Sequence, residues 1–232
     1  MSRTRSELPS DSAPRALRHA AYAAAMLLAP ILLLPGTFLN PAVGGIGAGA
    51  ANIAANAAAD PTGNQLHIAL YLVETFLLPV SVLGLAGLAL RRSPWLGTIG
   101  GGLGLIGWLP WSALVAQDDL TFQMAQSGGG PQFVDLWNRF TTDGTMGPLT
   151  LVYVVCHLAA YVVLGIALGR ARVIPAWAAW CLALTSPITI IAFPTRAHEL
   201  LYVVGVVWFV GSVPAALAVW RNRLERPASV DP

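Results

Sequence analysis

Apolar and polar positions alternate along this chain in long blocks. Six apolar runs, at residues 19–39, 65–90, 94–116, 148–168, 173–194 and 198–220, are each about 20 residues or longer. At 1.5 Å per residue such a run reaches across the ~30 Å hydrocarbon core of a bilayer as a helix. The blocks between them are short and basic, or long and polar. Residues 1–18 and 221–232 read as polar tails, and residues 40–64 and 117–147 as two loops. The pattern predicts an all-α membrane protein, a bundle of six transmembrane helices.

Breakers and small residues refine the blocks. Pro30 and Pro35 should kink the first run, and Ser93-Pro94 should end the second. The third carries Gly97, Gly100, Gly101, Gly104 and Gly107, a spacing that lets helices approach closely in lipid. In the first loop, residues 49–59 have the alanine content of a short helix. In the second, PQFVDLWNRFT (131–141) sets Phe133, Trp137 and Phe140 at helical spacing, as a helix lying in the membrane interface would.

Charge supplies the orientation. All 13 basic residues are arginine. With six spans and the N-terminus inside, only Arg139 and Arg196 lie outside, so the positive-inside rule puts both termini in the cytoplasm. A net charge of +2, with arginines scattered in pairs, gives no nucleic-acid footprint. Composition agrees with the block pattern: 10% charged residues against about 25% in soluble domains, and a mean hydropathy of +0.64. Cys156 and Cys181 fall inside apolar runs and read as small packing residues.

One hairpin has an echo. Val82-Leu83-Gly84-Leu85-Ala86 returns 81 positions later as Val163-Leu164-Gly165-Ile166-Ala167, and at the same offset Arg91 meets Arg172 and Pro94 meets Pro175. Spans two and three therefore read as duplicated in spans four and five, in parallel orientation. The turns ALRRSPWLG (89–97) and ALGRARVIPAW (167–177) resemble those of uncharacterised six-helix membrane proteins common in high-GC bacteria. The resemblance implies a bacterial cytoplasmic-membrane protein and brings no activity with it.

Candidate chemistry lies in the few polar residues inside apolar runs. An acid at the centre of a membrane helix costs about 2.5–3.5 kcal/mol on insertion scales, so Glu74 needs a reason to be there. Glu74 and His157 each lie nine residues into a span from the outer side, about 13 Å deep. If their helices are neighbours they form an acid/base or cation-binding pair; otherwise Glu74 is a packing clamp bonded to Tyr71, Thr75 or Tyr153. His67, His157 and His198 each carry a tyrosine four residues on, Tyr71, Tyr161 and Tyr202, on the same helix face. His67 and His198, with Glu199, Asp118 and Asp119, would frame an outward metal or haem site, but belt residues at the interface explain them more simply, and no cofactor is expected. Trp95, Trp111, Trp177 and Trp220 fall near span ends as anchors, while Trp108, Trp180 and Trp208 lie deeper.

Three functions fit these residues. The first is a non-enzymatic accessory protein, sensor or permease-like binder with an outward-facing polar pocket around Glu74 and His157, its partners the lipid bilayer and other membrane subunits. The second is an intramembrane enzyme acting on a lipid or isoprenoid substrate, with Glu74 and His157 as acid and base. The third is a haem or metal protein using His67 and His198. No metalloprotease, phosphate-loop or nucleophile-elbow motif is present.

Overall fold

A computed structural model describes residues 12–41, 47–195 and 198–224, the side chains of 12, 193–195, 198 and 222–224 excepted. Among them the chain is all helical, with no strand. The helices are α1 (Ser12–Leu39), α2 (Gly49–Ala58), α3 (Pro61–Leu90), α4 (Pro94–Trp108), α5 (Trp111–Gln126), α6 (Pro131–Thr142), α7 (Met146–Ala171), α8 (Ala176–Thr195) and α9 (His198–Leu224). Local sequence sets several starts. Proline, which has no N–H to leave unpaired, opens α3, α4 and α6. Asp60 caps α3 by accepting a 2.7 Å bond from the Gly63 N–H.

Six helices close into a ring. α1 packs on α3, α3 on α4, α4 on α7, α7 on α8, α8 on α9, and α9 returns to α1. α3 leans inward far enough to touch α7 and α9 as well. Five segments are long and apolar enough to cross a membrane: 13–39, 61–90, 94–126, 146–171 and 199–221. α8 is apolar over the shorter stretch Ala176–Ala192. The outer face of the ring carries large exposed apolar side chains, among them Phe38, Phe76, Leu109, Leu151 and Trp180, which suits contact with lipid rather than water.

The segments read as loops are largely helical. α2, α5 and α6 form a cap over one end of the ring, with α2 against both α5 and α6. Pro110, which lacks an N–H, separates α4 from α5, and α5 then runs on through 117–126, a stretch whose acids suggested a loop. Its polar residues are tolerated because Thr121, Phe122, Met124 and Ala125 turn inward. α1 likewise starts within the predicted tail, at Ser12, and α3 starts at Pro61 rather than 65.

The sharpest difference concerns α6. Its span, 131–142, matches the expectation, but Trp137 does not face lipid. It is 2% exposed, packs with Ile53, Met124 and Ala125, and donates a 2.9 Å hydrogen bond from Nε1 to the Thr121 hydroxyl. Gly49 N–H donates to Asn138 Oδ1 at 3.0 Å and fastens α2 to the same helix. Trp137→Ala should remove about 3–5 kcal/mol of packing from the cap. The expected readout is rapid proteolysis between α5 and α6, with the ring helices still protected; a cap as resistant as wild type would contradict this account of its core.

Close helix contact is concentrated where Cβ atoms are missing. A methyl group built on Gly107 of α4 would overlap the backbone of Cys156 and His157 in α7. The two echo segments do not share a facing. Leu83 is exposed where Leu164 is fully buried, and Leu85 is buried where Ile166 is exposed. The basic turns differ too, since Arg172 is left-handed at φ 52° while Arg91 is right-handed at −63°.

Candidate functional site

The inner face of α3 carries a stripe at three- and four-residue spacing: Asn64, His67, Tyr71, Glu74, Leu78, Ser81, all buried. α7 faces it with Tyr153, His157, Tyr161 and Leu164. In both helices the ionisable and aromatic members lie toward the capped end, and of the α3 stripe's polar residues Ser81 alone lies beyond Leu78. Beyond them, toward the arginine turns, Leu78, Val82, Leu85, Leu164, Leu168 and Leu182 form a fully buried apolar plug. The plug therefore closes the interior on the side of the arginine turns.

Glu74 sits at the foot of the polar half, 0% exposed. Neither of its carboxyl oxygens has a hydrogen-bond partner among the described residues. The carboxyl is within electrostatic reach of the Tyr71, Tyr153 and Tyr161 phenols. Two of the three clamp partners suggested by sequence are engaged elsewhere. Tyr71 Oη shares a hydrogen bond with Thr37 Oγ1 at 3.2 Å, and the Thr75 hydroxyl donates to the Leu72 carbonyl at 2.7 Å.

His157 is also buried but is not bonded to Glu74. Its Nδ1–H donates to the Tyr153 carbonyl at 2.6 Å, the carbonyl being able only to accept. The ring stacks on Tyr153 at 4.3 Å between centroids and lies 4.9 Å from Trp108. From there rings continue in contact: Trp108 to Trp111, Trp111 to Tyr71 and Tyr153, Trp108 to Tyr161, and Tyr161 to Trp208. Trp111 thus points inward rather than anchoring a span end. The Nε1 atoms of Trp111 and Trp208 are buried without an acceptor, whereas Trp108 Nε1 lies near the Tyr161 hydroxyl. Buried donors and an acid without partners in one aromatic lining are costly, about 1–3 kcal/mol each by mutational measures, and so call for a role beyond packing.

A second polar group lies one level outward. Asn56 Nδ2 donates to the Asn52 carbonyl at 2.9 Å, Asn64 Nδ2 to Asn56 Oδ1 at 2.7 Å, and Asn64 Oδ1 meets His67 Nδ1 at 3.1 Å. His67, 1% exposed, turns Nε2 toward Asp118 Oδ2 of α5 at 3.6 Å. Asn52, Asn56, His67 and Asp118, with Asn40, Gln117, Thr121 and Trp137, bound a cavity of about 50 Å³ under the cap. That exceeds the 10–15 Å³ or so that one water needs. The Tyr71 ring, edge-on to His67 at 4.8 Å, lies between this cavity and Glu74.

The remaining sequence candidates lie apart. Glu199 is exposed in the first turn of α9, Asp119 pairs on the surface with Gln123 at 3.3 Å, and the His198 side chain lies outside the described residues. Among the described residues no three His, Cys, Asp or Glu side chains converge as a metal would need from such ligands alone. Sequence reading missed Asn52, Asn56 and Asn64. Their signal was the spacing, since 52, 56 and 64 fall at multiples of four and two of them share a helix face. Compared with protein-family models, with curated proteins and with solved structures, the chain matches none, so its function must be argued from this interior.

Proposed function

We propose that the chain is a bacterial cytoplasmic-membrane protein of six spans, α8 being the fifth, with both termini in the cytoplasm, and that it is a non-enzymatic, permease-like binder or sensor whose interior opens outward. Its ligand at Glu74 is a proton or a small cation. The observation that carries this is the Glu74 carboxyl, wholly buried and without a donor, at the end of a polar stripe that an apolar plug closes on the other side. A bare carboxylate there is untenable, and only a positive charge neutralises it. The enzyme reading has less support, because Glu74 and His157 share no hydrogen bond and His157 is held by a backbone carbonyl.

Orientation has support of its own. The two arginine turns meet at one end, where Arg92 reaches the Ala171 carbonyl at 3.5 Å, and the cap lies at the other. The shared design of α3–α4 and α7–α8, helix, arginine turn, proline-opened helix, suits an ancient duplication whose faces have since rotated. In a background lacking Cys156 and Cys181, a cysteine at Gly129 should react with an impermeant maleimide from outside, and one at Ser93 only after permeabilisation. The reverse pattern would overturn the orientation.

Glu74 itself is tested with an apolar carbodiimide, which modifies protonated carboxyl groups within lipid. Mass spectrometry should find the adduct on Glu74 of the reconstituted protein, slowed by whichever of Na⁺, K⁺ or lowered acidity removes the proton. An unmodified Glu74 in otherwise folded protein would sink the reading.

A further inference from the structure

The cavity under the cap and the Glu74 carboxyl lie along one face of α3, with Tyr71 between them. His67, Tyr71 and Glu74 follow at spacings of four and three, and Glu74 lies about 10 Å further along the axis than His67. The two ends of this path differ in their access to solvent. The cavity has room for water, and the Asp118 side chain in its wall is 28% exposed. Glu74 is sealed, at 0% exposure, with the apolar plug beyond it.

Tyr71 is seated as the partition. It is 5% exposed, its ring edge-on to His67 at 4.8 Å and 5.1 Å from the Trp111 ring of α5. Behind it lies Gly36 of α1, where a methyl group would stand 2.6 Å from Tyr71 Cε1, so any side chain there would unseat the ring. Its hydroxyl is latched by the 3.2 Å bond to Thr37 Oγ1 and meets the side chain of Asn40, which is itself in the cavity wall. The phenol is within electrostatic reach of Asp118 on the cavity side and of Glu74 on the other. One ring thus stands between an acid that solvent reaches and an acid that it does not.

What Glu74 can hold narrows what passes. A hard metal ion taken out of water needs several oxygen ligands, six or more for the divalent ones. The unpartnered groups of the aromatic lining include the Trp111 and Trp208 N–H groups, which can only donate, and the Tyr71 oxygen is engaged with Thr37. A proton needs no such shell, since it bonds to one carboxyl oxygen. The ionisable groups around the path are His67 on α3, Asp118 from α5, and Tyr153, His157 and Tyr161 from α7; α4 has none, and those described on α9 lie near its ends.

We propose that the ligand of Glu74 is the proton, that it arrives through the cavity under the cap, and that the Tyr71 ring is the gate it passes, latched shut by Thr37. This rests on Glu74 being the ligand site. The step is proton transfer alone: one O–H bond breaks on an incoming hydronium and one forms on a Glu74 oxygen, leaving water. When the latch opens and the ring swings from Gly36, the cavity and the carboxyl become continuous.

The experiment is infrared spectroscopy of the full chain in nanodiscs, with the protonated-carboxyl band assigned by its loss in Glu74→Gln and its shift timed after mixing with D₂O. Thr37→Val and Tyr71→Phe remove the same latch at nearly constant volume, so each should speed exchange severalfold and the pair should not add. Tyr71→Ala, which removes the gate, should speed it at least tenfold; the two latch variants carry the test should that one fail to elute as a monodisperse species. Phe76→Ala, at a position 70% exposed on the same helix, should leave the rate unchanged. Replacing an organic-cation salt by Na⁺ or K⁺ should leave the band in place. Exchange indifferent to Thr37 and Tyr71, or slowed in Tyr71→Phe, would overturn the gate, and a band removed by Na⁺ or K⁺ would overturn the proton as ligand. No band in wild type free of metal ions would instead sink the reading of Glu74 itself.

Discussion

Gly107→Ala should be among the most damaging single-methyl changes in this chain. The new Cβ would fall on the backbone of α7 at Cys156 and His157, and backbone cannot rotate out of the way as a side chain can. α4 and α7 must move apart, which strips contact from the aromatic lining around Trp108 and Tyr153. Overpacking of this kind costs about 1–3 kcal/mol, set against about 1 kcal/mol of helix propensity gained from the glycine. Gly102→Ala is the matched control, since nothing lies within 4 Å of its Cβ position. It should keep the propensity gain alone and be neutral or slightly stabilising. Thermal unfolding in detergent, read by loss of monodisperse elution, should separate the two; equal midpoints would mean that the α4–α7 contact is looser than described.

Glu74→Leu should move stability the other way and abolish ligand response. Leucine is close to glutamate in size and brings no polar atom, so it relieves two unpartnered oxygens at a fully buried position. The gain should be about 1–3 kcal/mol. Glu74→Gln keeps an unsatisfied polar group and should be close to wild type in stability. Both variants should lose any rise in melting temperature that a cation confers on the wild type, because a ligand stabilises only the state that binds it. A chain that became more stable and lost its response would have given up function for packing. If instead Glu74→Gln prevented assembly and Glu74→Leu restored it, the carboxyl would be a packing element and the binder reading would fall.

These two positions also show how unevenly the sequence can be read. Glu74 stood out by composition, because an acid inside an apolar run is rare for a simple energetic reason. The importance of Gly107 did not, since six glycines in α4 look alike until a neighbour is known, and Gly102 faces no atom while Gly107 meets a backbone. Trp137 was visible as part of an amphipathic helix, yet amphipathicity gives a buried face without saying whether lipid or protein buries it. The cap of α2 and α5 supplied protein.

The pairing of Glu74 with His157 illustrates the same limit. Equal depth followed from counting residues, because rise per residue is fixed. Contact did not, because depth leaves rotation and neighbours open, and α4 stands between most of α3 and α7 in the ring. The cavity at His67 needed even more: an asparagine relay from α2, a histidine from α3 and an aspartate 51 positions further on in α5.

The sequence by itself determined the helical class, the long apolar segments, the arginine turns and the presence of one costly acid. All of these are properties of single segments in an apolar solvent, where length, charge and hydrogen-bonding needs act locally. The tertiary structure alone decided the order of helices around the ring, the inward turn of Trp111 and Trp137, the isolation of the Glu74 oxygens and the meeting of His67 with Asp118. Those depend on which face meets which neighbour, a choice made by packing among segments distant in the chain.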